Sequence, residues 1–284
     1  MQLAVPVMST LASWAGIPPE LSAQPMPPSP LAIVVPTRNS SVLLPRLVRS
    51  LEEQSFSDWR VILVDASSLQ GERAYLEELV RADTRFSWVS QAADGAGIYG
   101  AMNIGFRLLH PDEWALFWGS DDWASTPRSL QDALSDTSLQ ECDLLVCRGR
   151  YIRPDPKGAL RLERVTSFRW FFSYRVSLLL GSTPPHQCTL IGPGARKLLN
   201  RYDDRFGIAA DLNFFLSLAR RGSCRVRASP VCLVDIAVGG VSGVEHRRRF
   251  HEVVHAYRNA FSFFWPIPFL MRYFQRLLTL CGLP

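Results

Sequence analysis

Leu31-Ala-Ile-Val-Val-Pro-Thr-Arg-Asn39 is the stretch from which the fold can be read. Its apolar run, Leu31 to Val35 ending in Pro36, has no polar alternation, which suits a strand buried on both faces. Ser40 or Ser41 then stands where a helix cap is needed, and Pro45 falls in the first turns. Leu43, Leu44, Leu47, Val48 and Leu51 keep helical spacing. A second strand follows at Val61–Val64, a helix from about Glu72 to Arg81, and a third strand near Phe86–Ser90. Ile98, Ala101, Met102, Gly105, Phe106 and Leu109 form the next helical stripe, before a fourth strand, Trp114–Trp118, that ends at Gly119-Ser-Asp-Asp122. This alternation predicts an α/β fold with an open, mainly parallel central sheet flanked by helices. Ligands of such sheets sit beyond the carboxyl ends of the strands. Pro36-Thr-Arg-Asn39, Asp65-Ala-Ser-Ser68 and Ser120-Asp121-Asp122 should therefore converge on one edge.

Outward from these strands the chain changes character twice. Residues 1–30 are Pro-rich and aperiodic, and read as a poorly ordered leader. The α/β region spans 31–242, with one half at 31–125 and another at 140–242, where short strands are expected around a helix from Asp211 to Arg221 stopped by Gly222. The remainder, 243–284, is a basic, aromatic, amphipathic helical tail. It carries most of the charge: the net charge is +5, and six arginines against Glu245 and Glu252 lie beyond Gly243. A basic tail on a nearly neutral body argues against a nucleic-acid-binding protein.

With 284 residues, 47% hydrophobic and 20% charged, the chain can bury a core and is not an intrinsically disordered protein. Its six cysteines (Cys142, Cys147, Cys188, Cys224, Cys232 and Cys281) show no C-x-x-C pair, so they read as buried free thiols of a reducing compartment and not as a zinc site. Met1–Pro30 lacks the basic start of a signal peptide, and no apolar run reaches the roughly 20 residues of a membrane span. The expected location is the cytoplasm.

Asp121-Asp122 is the strongest chemical feature. Adjacent carboxylates at a buried strand end repel unless a cation or hydrogen-bond donors lie nearby, and a hard divalent ion, Mn²⁺ or Mg²⁺, takes carboxylate and phosphate oxygens together. The alternative is that Ser120 or Asp121 caps a helix beyond Trp123. Asp65 and Asp94 can accept hydrogen bonds from a nucleobase or ribose, or form Asx-turns. Asp211, flanked by apolar residues at a helix start, is placed for general-base work or is a first-turn aspartate. His186 and Gln187 stand after Pro184-Pro185, where the histidine can meet phosphate or an acceptor, or is a loop residue.

In this order the segments resemble family 2 glycosyltransferases of the GT-A (Rossmann-like) fold, of the bacterial surface-polysaccharide type. The resemblance rests on Ile33-Val-Val-Pro-Thr-Arg-Asn39, Gln54-Ser-Phe-Ser-Asp-Trp59 and Val64-Asp65-Ala-Ser-Ser68. It continues through Asp94-Gly-Ala-Gly-Ile-Tyr-Gly-Ala-Met-Asn103, Trp118-Gly-Ser-Asp-Asp122, His186-Gln187, Ile208-Ala-Ala-Asp211 and Gly239-Gly-Val-Ser242. It implies an inverting transfer of one sugar from a nucleotide-diphosphate sugar, UDP-sugar by default, to a hydroxyl of a glycan or lipid-linked acceptor. On that pattern Pro36, Thr37 and Arg38 line the nucleotide site, Asp65 and Asp94 contact the base, and Asp121 reaches the ribose. Asp122 would hold the divalent cation, and Asp211 would be the general base.

The chain departs from the family pattern in three places. Ser120 replaces the first acid of D-x-D, Gly100 stands where the subgroup often has Asp, and the Q-x-x-R-W motif of processive synthases is absent. A catalytically degenerate nucleotide- or sugar-binding protein of the same fold is the rival that Ser120 and Gly100 favour, and Asp122 and Asp211 oppose. In the tail, Ala260-Phe-Ser-Phe-Phe-Trp-Pro-Ile-Pro-Phe-Leu-Met271 beside arginines suits a segment lying in a membrane interface, or one packed on the body or in a dimer contact. Contact with the cytoplasmic face of the inner membrane through residues 255–284 is the expectation.

Overall fold

The computed structural model describes residues 30–66, 68–91, 97–135, 141–155, 157–166, 168–239 and 245–280. Residues 1–29, almost all of the expected leader, lie outside them, as do Asp94, Gly240 to Ser242 and Cys281. The first half alternates as the sequence predicts: β1 (Leu31–Thr37), α1 (Leu44–Glu52), β2 (Trp59–Asp65), α2 (Gln70–Ala82), β3 (Phe86–Ser90), α3 (Ile98–Arg107) and β4 (Trp114–Phe117). Then come β5 (Trp123–Ala124), α4 (Ser129–Leu134), β6 (Leu144–Pro154), β7 (Leu160–Val165), α5 (Tyr174–Leu179), β8 (Thr189–Ile191) and α6 (Pro193–Leu198). The chain continues through α7 (Ala210–Arg221), β9 (Val226–Ala237), α8 (His246–Phe261) and α9 (Pro266–Leu280).

One sheet runs in the order β3-β2-β1-β4-β8-β6-β9-β5, with β7 beside β6. Successive side chains of a strand face opposite ways, so a strand covered on both faces must be apolar throughout. In β1, Leu31, Ile33 and Val35 enter a core with α1, α2 and α4, while Val34 enters a second core with α3, α7 and α8. That is why the opening stretch does not alternate. Gly105 of α3 lies so close to β1 that a Cβ there would overlap the Val34 methyls. Gly105→Ala is accordingly expected to cost about 1–3 kcal/mol by overpacking, read as a lower urea midpoint at unchanged slope.

Several expectations need correction. The sheet is parallel from β3 to β4 and again between β6 and β9, while the β4–β8, β5–β9, β6–β7 and β6–β8 pairings are antiparallel, so the mainly parallel sheet is mixed in its second half. The second half is built around two long strands, β6 and β9, paired in parallel. Neither Ser40 nor Ser41 caps α1; its cap position is Leu43, because a turn held by the Ser40 carbonyl intervenes. Their hydroxyls serve other contacts, Ser41 Oγ with Glu72 at 2.7 Å and Ser40 Oγ with Ser120. Trp123 begins a short strand, and the next helix, α4, has its cap position at Arg128, so neither Ser120 nor Asp121 caps it. Gly222 does follow α7, but in extended backbone (φ 177°), where the Leu198 side chain leaves little room for a Cβ. Cys142, Cys147 and Cys188 are buried free thiols as expected, whereas Cys224 and Cys232 are half-buried.

Candidate active site

Register and hydrogen bonds bring the three polar strand ends together. Thr37, at the end of β1, pairs with Asp65, at the end of β2, and β4 lies on the other side of β1. Asn39 adopts a left-handed conformation (φ 52°), which asparagine tolerates, and so turns its amide toward the second strand end. Its N–H donates to Ser68 Oγ at 2.8 Å, and its Oδ1 accepts from the Leu69 N–H at 3.1 Å. Ser40 Oγ lies 3.0 Å from Ser120 Oγ and so ties in the end of β4. Of the nucleotide-site candidates, Pro36 is half-buried, Thr37 buried and Arg38 exposed. Asp65 is fully buried and engaged within this loop cluster: it accepts from Thr37 Oγ1 at 3.3 Å, from the Ser68 hydroxyl and, at 3.1 Å, from the Ser68 N–H. Asp94 is outside the described residues.

Asp122 is 2% exposed, and its Oδ2 accepts from the Gly119 N–H at 2.7 Å. Burial, then the charge of Asp121, push its carboxyl well above the usual range, against the opposing N–H donors of Gly119 and Ala237. Burial raises Asp121 as well. Among the described residues neither carboxylate has an ion-pair partner, and no group of three or more His, Cys, Asp or Glu forms a ready-made metal cage. Two acidic side chains with unmet negative charge fit an ion of the Mg²⁺ or Mn²⁺ type, which takes one or two carboxylates and completes its shell with water and substrate phosphates.

Asp211 opens α7 on the same side as a buried aromatic cluster. Tyr99 Oη lies 3.1 Å from Asp211 Oδ1 and 2.9 Å from the Ile208 carbonyl, so α3 fixes the first turn of α7. His186 is buried in the single turn His186–Cys188, with Nε2 2.7 Å from Tyr202 Oη and its ring stacked on Phe117 at 5.7 Å. Burial lowers its pKa, and the Asp211 charge opposes this. The Gln187 carbonyl accepts from Trp118 Nε1 at 3.0 Å. This turn links the acidic end of β4 to the start of α7.

Sequence reasoning passed over Tyr99, Tyr202 and Glu252. Glu252 of α8 accepts the N–H groups of Gly207, Ile208 and Ala209 at 3.0, 2.7 and 2.9 Å. The opposing burial is outweighed by these donors and Arg248, and the carboxyl stays below its usual range. No local signal points to such a contact across more than forty residues. The helix lacked any capping side chain of its own at Ala209, and that absence was the one available hint.

The matching family model is "Glycosyl transferase family 2", over residues 32–201, and the chain belongs to that family. A PGL/p-HBAD biosynthesis glycosyltransferase of Mycobacterium bovis is 26% identical over 188 residues, 64% of this chain and 67% of its own. The GalNAc(5)-diNAcBac-PP-undecaprenol beta-1,3-glucosyltransferase of Campylobacter jejuni is 28% identical over 92 residues, 32% of this chain and 29% of its own. Among solved structures, S. aureus TarS 1–349 superposes with a TM-score of 0.63 at 18% identity, over 88% of this chain and 73% of that one. The chain spans 40% of a longer TarS structure. The mannosyltransferase PcManGT of Pyrobaculum calidifontis, in complex with GDP-Man and Mn2+, gives a TM-score of 0.61 at 16% identity, over 89% and 72%. The sheet and its flanking helices thus form a GT-A-like α/β fold, and the protein is a glycosyltransferase.

Proposed function

We propose that this glycosyltransferase moves one sugar, with inversion, from a nucleotide-diphosphate sugar to a hydroxyl of a glycan or lipid-linked acceptor in cell-surface polysaccharide synthesis. The observation that carries the reading is the adjacent pair of half-buried Asp121 and buried Asp122, without a counter-cation among the described residues, at an edge it shares with Thr37 and Asp65. Pro36, Thr37 and Arg38 are assigned to the nucleotide, Asp65 and, outside the described residues, Asp94 to its base, and Asp121 to the ribose. Solved relatives that carry UDP-GlcNAc or GDP-Man support a nucleotide-sugar donor. UDP is favoured as the nucleotide.

Asp122 would hold a divalent cation, Mn²⁺ or Mg²⁺, whose charge offsets that building on the departing diphosphate. Asp211 takes the proton of the acceptor hydroxyl, and the resulting oxygen attacks the anomeric carbon. A C–O bond forms on one face as the bond to the diphosphate oxygen breaks on the other, which inverts the centre. Tyr99 keeps Asp211 Oδ1 in place and leaves Oδ2 for the proton. Buried His186, whose ring stacks on Phe117 of β4 and feels the Asp211 charge, is assigned with Gln187 to the acceptor side.

Calorimetric titration of UDP, GDP and dTDP, each with and without Mn²⁺, tests the donor assignment. Metal-dependent binding of one nucleotide supports it, and no binding of any would sink it.

The finer assignment of location is peripheral, at the cytoplasmic face of the membrane. No helix among the described residues is long and apolar enough to span a bilayer. Yet Phe263 and Phe264 are 88% and 64% exposed at the α8–α9 turn, and Ile267, Leu270, Phe274 and Leu277 leave one side of α9 uncovered. An open groove of about 770 Å³ there is lined by Phe263, Phe264, Trp265, Pro266 and Ile267 together with Arg258. Aromatic and aliphatic groups beside arginine suit an anionic lipid surface. Sedimentation with vesicles containing phosphatidylglycerol is expected to carry the protein down, and F263S/F264S to reduce the bound fraction at least about fivefold, since each side chain contributes roughly 1.5–3 kcal/mol of burial. Equal binding of both forms would remove the assignment.

A further inference from the structure

We infer that Glu252 is a positioning residue for the general base: the C-terminal tail holds the catalytic helix in register with the donor site. The inference rests on the reading of Asp211 as base. Helix α7 begins without help from its own sequence, since Ala209 at the cap position offers no side-chain acceptor. The N–H groups at such a start carry partial positive charge and need acceptors. Of these the Ala209 amide is met from α8 by Glu252 Oε2, which also takes the Ile208 amide just before the helix, while Oε1 takes the Gly207 amide, so the segment leading into α7 is held from the tail.

Glu252 is itself held. Arg248 Nε lies 3.0 Å from its Oε1 one turn earlier on α8, and Val253, Ala256 and Tyr257 of that helix are buried in the core that contains α7. On the other side of the same segment, Tyr99 Oη reaches the Ile208 carbonyl and Asp211. Residues 207–211 are therefore clamped between α3, which follows the nucleotide-binding strands, and the tail. A carboxylate that accepts three backbone amides fixes both the position and the direction of the turn that carries Asp211. A shift of about 1 Å in a reacting group can cost about 10²-fold in rate, so the contact lies within reach of catalysis without touching substrate.

The test uses the full chain and the nucleotide sugar that binds in the titration (a UDP-, GDP- or dTDP-hexose), with Mn²⁺ and water as acceptor, read as nucleotide release. Glu252→Ala is expected to lower kcat by about 10–100-fold at unchanged KM for the donor. Amide exchange at residues 207–211 is expected to speed up in the same variant. Glu252→Gln, which keeps the side-chain length and one carbonyl acceptor, recovers most of the rate and serves if the alanine variant does not fold. In an Asp211→Asn background, Glu252→Ala should cost nothing further, because its effect passes through the missing carboxylate. A wild-type kcat in Glu252→Ala beside an inactive Asp211→Asn overturns this inference alone. An equal loss in both backgrounds overturns it too, since a general structural role would behave that way. A wild-type rate in Asp211→Asn overturns the base assignment, and the inference with it.

Discussion

Asp211→Asn is expected to lower kcat by about 10²–10⁴-fold, the usual worth of a general base, with nucleotide affinity unchanged. The substitution is nearly isosteric. The amide oxygen can still accept from Tyr99 Oη, which lies 3.1 Å from Oδ1, so the first turn of α7 keeps its geometry. What is lost is the second oxygen, the one assigned to take the acceptor proton. The proposed donor site lies at the ends of β1, β2 and β4, which are other elements, and should bind nucleotide as before. Steady-state nucleotide release gives kcat, and titration of the bare nucleotide gives the affinity. Activity within about threefold of wild type would assign the proton to another group, since a lost base costs far more than that.

The second large effect has opposite signs for function and for stability. Asp122→Asn should abolish metal-dependent nucleotide binding, a loss beyond the about 10–100-fold that outer-sphere changes cause. The same substitution should raise the melting temperature of the metal-free protein at neutral pH. In the wild type the folded carboxyl titrates well above its unfolded value, because burial and Asp121 disfavour the charge. The unfolded chain ionises first, so the metal-free fold loses stability as pH rises from the unfolded pKa, near 4, up to the folded one, and stays lower above it. A neutral amide removes that penalty. Mn²⁺ should in turn raise the melting temperature of the wild type and leave the variant unmoved. Scanning calorimetry across pH, with and without Mn²⁺, checks both signs; a variant less stable than the metal-free wild type at pH 7 would contradict the argument.

Much of this was legible without coordinates because it is local. Continuous burial of β1 and β2 writes itself as unbroken apolar runs, and the stripe Ala101, Met102, Gly105 and Phe106 marks the buried face of α3. Asp121-Asp122 stood out because two adjacent carboxylates after an apolar strand require an explanation in the sequence itself. What failed was also local reasoning, applied where distant partners decide. Ser40 and Ser41 are good caps by type, yet their hydroxyls are taken by Ser120 and Glu72. The direction of β8, and with it the mixed sheet, depends on pairing across the chain and leaves no mark in a three-residue strand. The tail shows both sides: its amphipathic character was readable, while the choice between packing and exposure was not. The structure divides it, with α8 buried through Val253, Ala256 and Tyr257 and one face of α9 left open.

The sequence by itself determined the α/β class, the order of its first seven elements, the three polar strand ends and the family to which they point. Those features follow from side-chain period and from residue chemistry at fixed spacing, which are properties of neighbours along the chain. Tertiary structure alone decided that Asp65 is held by Thr37 and Ser68, that Tyr99 steadies Asp211, and that Glu252, more than forty residues away, holds the segment leading into the helix that carries it. Each is a hydrogen bond whose partner is chosen by how elements pack, and packing is settled by the whole core at once.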